Sequence, residues 1–249
     1  MDNLKKEMAE RNLILKVRTG SYLYGTNTPT SDVDYIGVFI PDKKYVLGLH
    51  QVEQVNMSTS SDKKKNTKDD IDYTIYSLPK FIKLLIKNNP NIIELLFAPD
   101  DCIVVNTAYW TMLRDKYRLF VSKNAYKSFT GYAFNQSKKL KNSKDKIVQS
   151  GFVEKYNYDV KLVSHLIRLL SECLELLTTG KLSFPLNNSA YLKSIRLGEV
   201  SLMDVLEEED RLTALIEQVK EDTDLRDVPD LEKIESLQMG MLSKFWGKE

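Results

Sequence analysis

Gly20-Ser21-Tyr22-Leu23-Tyr24-Gly25-Thr26 is followed at short range by Ser31-Asp32-Val33-Asp34-Tyr35-Ile36-Gly37-Val38. The first stretch reads as a small-residue turn. The apolar run Leu13-Ile14-Leu15-Lys16-Val17 leads into it and suits a buried strand. In the second stretch two carboxylates alternate with an apolar residue and run on into a strand-like segment. Residues i and i+2 of a strand point to the same side, so Asp32 and Asp34 are expected to project together. A Gly-Ser turn at a helix start offers backbone N–H groups and a hydroxyl to an anion. Paired acids beside such a turn are what metal-dependent phosphoryl or nucleotidyl transfer needs, and magnesium prefers carboxylate and phosphate oxygens. Each half is weak alone, because Asp-x-Asp commonly just solubilises a loop and Gly-Ser is commonly only a turn. The order of strand, turn and acidic strand gives the reading its weight.

The chain has 249 residues, enough for one large domain or two small ones. It is 42% hydrophobic and 29% charged, which is ordinary for a globular protein. A net charge of +1 excludes a global basic field, so any nucleic-acid partner would need local patches. Lysines cluster at Lys63-Lys64-Lys65, and again at Lys138, Lys139, Lys141, Lys144 and Lys146 with Phe129, Tyr132 and Phe134 nearby. Such clusters are usually solvated surface; RNA binding by the second would show as affinity that falls with salt. Cys102 and Cys173 belong to no Cys-x-x-Cys pair, which argues against structural zinc. No apolar run suits a signal peptide or a bilayer span, so the chain reads as cytoplasmic, with no membrane partner.

Asp72-Tyr73-Thr74-Ile75-Tyr76 alternates and is rich in aromatic and β-branched residues, which predicts another strand. Residues 78–87 predict an amphipathic helix, and Asn89-Pro90 predicts the capped start of the next. Strand signals fade after about residue 105. Residues 109–117, 123–141, 157–179, 189–197 and 202–220 predict helices, with Gly180 as a helix stop. The fold class expected is α+β: a small mixed-sheet lobe over residues 1–115, then an α-helical lobe over 116–249. At the start of the 72–76 strand Asp70 and Asp72 would share a face; Asp72 sits inside the apolar alternation, whereas Asp70 borders a charged loop. On the helix over 157–179, Lys161, His165 and Arg168 share one face at about 100° per residue. Leu162, Val163, Leu166, Ile167, Leu169, Leu170, Cys173 and Leu174 form the other face. Periodicity alone makes the first a solvated polar face, with Glu172 placed to pair with Arg168.

These residues also carry a resemblance. Gly20-Ser21 followed by Asp32-x-Asp34 resembles the signature of the DNA polymerase β-type nucleotidyltransferase superfamily. The fuller pattern, Gly-Ser-x-x-x-Gly-x-x-x-x-x-Ser-Asp-x-Asp-x-x-Gly-Val, is similar to one branch of it, predicted nucleotidyltransferases associated with RNA repair pathways. Tyr76-Ser77-Leu78-Pro79-Lys80-Phe81 matches a run that follows an acid in that branch, a spacing that favours Asp72. Tyr158-Asp159-x-Lys161-x-x-x-His165-x-x-Arg168-Leu169-Leu170 looks like its second motif, with Ile195-Arg196-Leu197-Gly198-Glu199 after it. Asn89-Pro90-Asn91-Ile92-Ile93-Glu94-Leu95-Leu96 also matches and reads mainly as architecture.

The resemblance implies a polymerase β-like catalytic lobe that binds a nucleoside triphosphate such as ATP. Its phosphates would lie at Gly20 and Ser21, with Thr26 extending the surface and Ser31 fixing the acid loop. Asp32, Asp34 and Asp72 would be the catalytic acids and would hold Mg²⁺ or Mn²⁺. Lys161 and Arg168 would contact phosphate, and His165 a base, ribose or phosphate group. The implied reaction moves a nucleoside monophosphate to an acceptor hydroxyl, an RNA 3′ end in RNA repair or tRNA end processing, and releases pyrophosphate. Two other readings stay open: a catalytically inactive nucleotide- or RNA-binding module, and nucleotidylation of a protein or small molecule. The turn departs from the glycine-pair form of the signature by having Ser21 second.

Overall fold

The computed structural model describes residues 2–29, 31–57, 71–143 and 158–247. Asp70, the Lys63–Lys65 cluster, Lys144 and Lys146 lie outside the described residues. The chain divides into two compact units, one formed by Met1–Ile86, Asn91–Phe120 and Pro229–Glu249, the other by Lys87–Pro90 and Val121–Val228.

The first unit contains α1 (Asp2–Arg11), β1 (Leu13–Thr19), α2 (Ser21–Tyr24), β2 (Val33–Phe39), α3 (Lys44–Leu47), β3 (Gln54–Asn56) and β4 (Ile71–Ser77). Then come α4 (Leu78–Ile86), α5 (Pro90–Ile93, whose first residue falls in the second unit), β5 (Ile103–Asn106) and α6 (Ala108–Arg114). Among the described residues these strands form one five-stranded sheet in the order β3-β4-β2-β1-β5. β2 and β4 run parallel, and the other neighbouring pairs are antiparallel. The sheet is therefore mixed, as the sequence leads one to expect. β1 lies inside the sheet, and Ile14, Leu15 and Val17 are buried, which is why it reads as an almost unbroken apolar run.

One face of the sheet holds Phe39, Tyr73 and Ile75, packed with Met8 and Ala9 of α1 and with Val52 and Val55. Side chains alternate along a strand, so Asp34 and Asp72 belong to the opposite face. α4 follows β4 directly and buries Leu78, Phe81, Ile82 and Leu85. Phe81 meets the buried Trp110 of α6 edge to face, with centroids 6.1 Å apart.

The second unit contains α7 (Asn124–Ser143), α8 (Val160–Thr179), α9 (Ser189–Leu197) and α10 (Leu202–Val219). α8 packs against α7, α9 and α10. Its start is fixed by the side chain of Asp159, whose Oδ1 accepts from the backbone N–H groups of Lys161 and Leu162 at 3.1 and 3.0 Å. Its end is closed by Gly180 in the left-handed region at φ 70°. Ser201 caps α10 in the same manner, accepting from the Asp204 N–H at 3.1 Å.

The last helix, α11 (Leu231–Trp246), belongs to the first unit. It packs on α4, Phe245 stacks edge to face with Tyr109, and the Trp246 indole donates to the Pro41 carbonyl at 3.0 Å. Among the described residues no helix is long and apolar enough to cross a membrane. Replacing the cap, Asp159→Ala, orphans two N–H donors of α8. We expect a stability loss of about 1 kcal/mol, read as a lower urea midpoint.

Candidate active site

The parallel register of β2 and β4 sets Val33 opposite Ile71, Asp34 opposite Asp72 and Tyr35 opposite Tyr73. Adjacent strands lie about 4.8 Å apart, so the Asp34 and Asp72 side chains leave neighbouring strands from the same face. Both residues are half-buried. Asp32 lies just before β2, two residues upstream of Asp34, and is also half-buried. Among the described residues no three His, Cys, Asp or Glu side chains are gathered as a ready-made metal cage. The structure thus brings Asp34 and Asp72 together, and Asp32 completes no three-acid cage with them. An all-oxygen pair still fits a hard divalent ion, because magnesium is usually held by one or two carboxylates plus substrate phosphates and water.

The Gly20 turn closes over Asp34. Gly20 has φ 65° and ψ −141°, a backbone state that side chains other than glycine rarely adopt. A Cβ built there would lie 2.5 Å from Oδ2 of Asp34. Only a residue without a side chain lets the turn approach the carboxylate so closely. Ser21 and Thr26 are buried, and the Thr26 N–H donates to the Ser21 carbonyl at 2.9 Å. Thr19, opposite Asp34 on β1, donates its hydroxyl to the Asp34 carbonyl at 3.4 Å. Ser31 is buried, and its hydroxyl accepts from the Thr28 N–H at 2.9 Å, while its own N–H donates to the Thr28 carbonyl at 3.0 Å. That pairing ties down the segment leading into Asp32.

In the helical unit, Lys161 is exposed and His165 half-buried, but Arg168 and Glu172 are buried. The Arg168 guanidinium donates to both Glu172 oxygens at 3.0 and 2.9 Å, and to Nδ1 of His165 at 3.0 Å. Arginine has no acceptor, so Nδ1 of His165 accepts and the ring hydrogen sits on Nε2. Burial, and then the positive charges of Arg168 and Lys139, push the His165 pKa down to about 3. The face expected to be solvated is therefore covered at Arg168. The helix is enclosed by its neighbours on more sides than its apolar stripe announces.

Residues 1–242 match the RNA repair pathway DNA polymerase beta family, RlaP. The chain belongs to this family. Its motif resemblance and its fold class, a mixed sheet in the N-terminal part with a helical region after it, stand together with that membership. The family is nucleotidyltransferase-like. An uncharacterized 38.9 kDa protein from the nrdC-mobD intergenic region of Enterobacteria phage T4 is 35% identical over 128 residues. That stretch is 51% of this chain and 38% of the phage protein, so the match spans well under two thirds of that relative. A nucleotidyltransferase-like protein from Exiguobacterium sibiricum 255-15, known from a crystal structure, overlays 97% of this chain and 74% of its own, at 11% identity and a TM-score of 0.32.

Sequence reasoning left one polar contact of the site unread. The Tyr24 hydroxyl donates to the buried carboxylate of Glu94, at 3.0 and 3.2 Å from its two oxygens. The family motif flagged Glu94, but no local pattern names a partner seventy positions away.

The His165 shift has a sign that can be tested. Its pKa is lower in the folded than in the unfolded chain, so between about pH 6.5 and pH 3 the unfolded chain binds the extra proton. Stability owed to neutral His165 is complete above about pH 6.5 and is lost as pH falls toward 3. Asn in its place keeps an acceptor for Arg168 and does not titrate. Going from pH 7 to pH 4.5, wild type should lose on the order of 2 kcal/mol more stability than His165→Asn, measured by urea unfolding at each pH.

Proposed function

We propose that this chain is a metal-dependent nucleotidyltransferase that transfers a nucleoside monophosphate from a nucleoside triphosphate to an RNA 3′ hydroxyl. The observation that carries the reading is the register match of Asp34 with Asp72 beneath a glycine that only a bare backbone can occupy. Family membership over residues 1–242 supports it.

In this reading the triphosphate lies along Gly20 and Ser21, where backbone N–H groups and a hydroxyl meet phosphate oxygens. Thr26 supports the Ser21 end of the turn, and Ser31 keeps the approach to Asp32 in place. Asp34 and Asp72 would hold Mg²⁺ or Mn²⁺, with Asp32, which forms no three-acid cluster with them here, joining once an ion is bound. Bound divalent ions there would neutralise phosphate charge and make the acceptor hydroxyl more acidic. Asp72 takes the proton of that hydroxyl. Its oxygen then bonds to the α-phosphorus as the bond to the bridging oxygen breaks, and pyrophosphate leaves with that electron pair. On the helical unit, Lys161 and His165 are the proposed contacts to nucleotide or RNA. His165 serves as an Nε2–H donor, and Arg168 holds its ring rather than meeting phosphate itself.

The test is incubation with each α-labelled triphosphate, Mg²⁺ and total RNA. Label should enter RNA, with one pyrophosphate released per nucleotide added. Label in protein or in a small molecule would move the acceptor elsewhere, and tight binding without pyrophosphate would make the chain a binding module. Asp34→Asn and Asp72→Asn should each lower kcat by at least about 10²-fold, since several kcal/mol of charge stabilisation is removed. Asp32→Ala/Asp34→Ala should abolish transfer while circular dichroism stays that of a folded chain. Gly20→Ala should cost about 10²-fold or more by displacing the Asp34 carboxylate, a loss read from kcat/KM.

A further inference from the structure

Glu94 is a carboxylate that the transfer chemistry does not use. It opens the short 3₁₀ turn Glu94–Phe97 and is 1% exposed. Its chain neighbours Ile93, Leu95 and Leu96 are also buried, so the carboxylate lies inside the packed unit. A carboxylate in such a place is costly unless hydrogen bonds hold it, and an apolar side chain of similar size would pack there without that cost. One bond that Glu94 accepts comes from the Tyr24 hydroxyl.

Tyr24 is the last residue of α2, which begins at Ser21. The turn is internally braced: the Tyr24 N–H donates to the Gly20 carbonyl at 3.1 Å, and the Thr26 N–H to the Ser21 carbonyl at 2.9 Å. A displacement at Tyr24 is therefore passed along to Gly20 and Ser21. At its other end the turn rests on Asp34, where Gly20 leaves no room for a Cβ. The turn has two fixed points, an acid of the active site at its start and a buried acid at its finish.

We propose that Glu94 is a positioning residue. Through the Tyr24 hydroxyl it sets the angle at which the Gly20–Ser21 backbone faces the Asp34 and Asp72 carboxylates. The proposal rests on the nucleotidyl-transfer reading and says which buried group aligns the triphosphate. A turn that stays folded but loses this tether would hold the phosphates out of line with the acids, and misplacement by about 1 Å is enough to slow a reaction about 10²-fold.

The experiment compares wild type with Tyr24→Phe, Glu94→Gln, Glu94→Leu and the Tyr24→Phe/Glu94→Leu double variant. For each, three quantities are measured: KM and kcat for the preferred triphosphate, Kd for its non-hydrolysable analogue with Mg²⁺, and Tm. Tyr24→Phe keeps the ring and removes only the tether. It should lower kcat/KM by about 30-fold and weaken the analogue about 5-fold, with Tm within about 3 °C of wild type. Glu94→Gln still presents an acceptor to the hydroxyl and should keep at least about a third of wild-type kcat/KM. The double variant should be no slower than the worse single variant, because both remove the same bond. Wild-type kinetics in Tyr24→Phe would overturn the proposal and leave the pair as packing alone, with the transfer reading intact. A wild-type protein that neither binds nor consumes any triphosphate would overturn both. Should Glu94→Leu fail to fold, Tyr24→Phe with Glu94→Gln decides the matter.

Discussion

The pairing of β2 with β4 is the constraint on which the site depends. Side chains alternate with a period of two, so a slip of one residue would send Asp72 to the other face and pull Tyr73 out of its packing against α1. The core on one face therefore fixes the placement of the two acids on the other. Phe39, Tyr73 and Ile75 bury against Met8 and Ala9, and that burial keeps Asp34 and Asp72 in step. Gly37 shows how tight the inner face is, since a Cβ there would lie 2.9 Å from the Tyr73 hydroxyl. The fold supplies the enforcement, through apolar packing distant from any substrate.

The helical unit solves a different problem with a similar device. The Arg168–Glu172 pair is buried within one helix and fixes the tautomer of His165. Its contribution to stability is small relative to its effect on geometry, because a buried ion pair offsets much of its own attraction by desolvation. Removing either partner alone would take this ion pair away from a charge that stays buried.

Much of the first unit was legible in the sequence. β1, β2 and β4 announce themselves by apolar runs or by alternation, and α4 by its stripe of Leu78, Phe81, Ile82 and Leu85. The caps at Gly180 and Ser201 follow from local backbone demands and stand where residue type puts them. β3 and β5 span only three and four residues, too few for a periodic signal to emerge. α11 is hard to read because it buries only Ile234, Met241 and Leu242 across its sixteen residues. Periodicity alone places Arg168 on a solvated face, and the resemblance places it on phosphate; its burial is invisible to both, because a helical wheel separates polar from apolar and says nothing of how many neighbours surround the helix. The Tyr24–Glu94 bond is invisible for a related reason: a contact between distant positions is decided by the fold. Gly20 is a mixed case: its type indicates a turn that lets the backbone approach closely, expected toward phosphate, whereas the close neighbour in the fold is the Asp34 carboxylate.

The first unit is interrupted in sequence, with α11 returning to it after α10. During synthesis the ribosome delivers the sheet early but withholds α11 until every residue of the helical unit has emerged. Until then the seats that α11 fills, on α4, at the Tyr109 ring and at the Pro41 carbonyl, face the solvent of the exit site or a chaperone. The helical unit, contiguous over Val121–Val228, is free to form first. Completion of the sheet-bearing unit thus waits until Leu231–Trp246 has emerged, and a nascent chain stalled before Leu231 would carry the acids of the site on an unfinished scaffold.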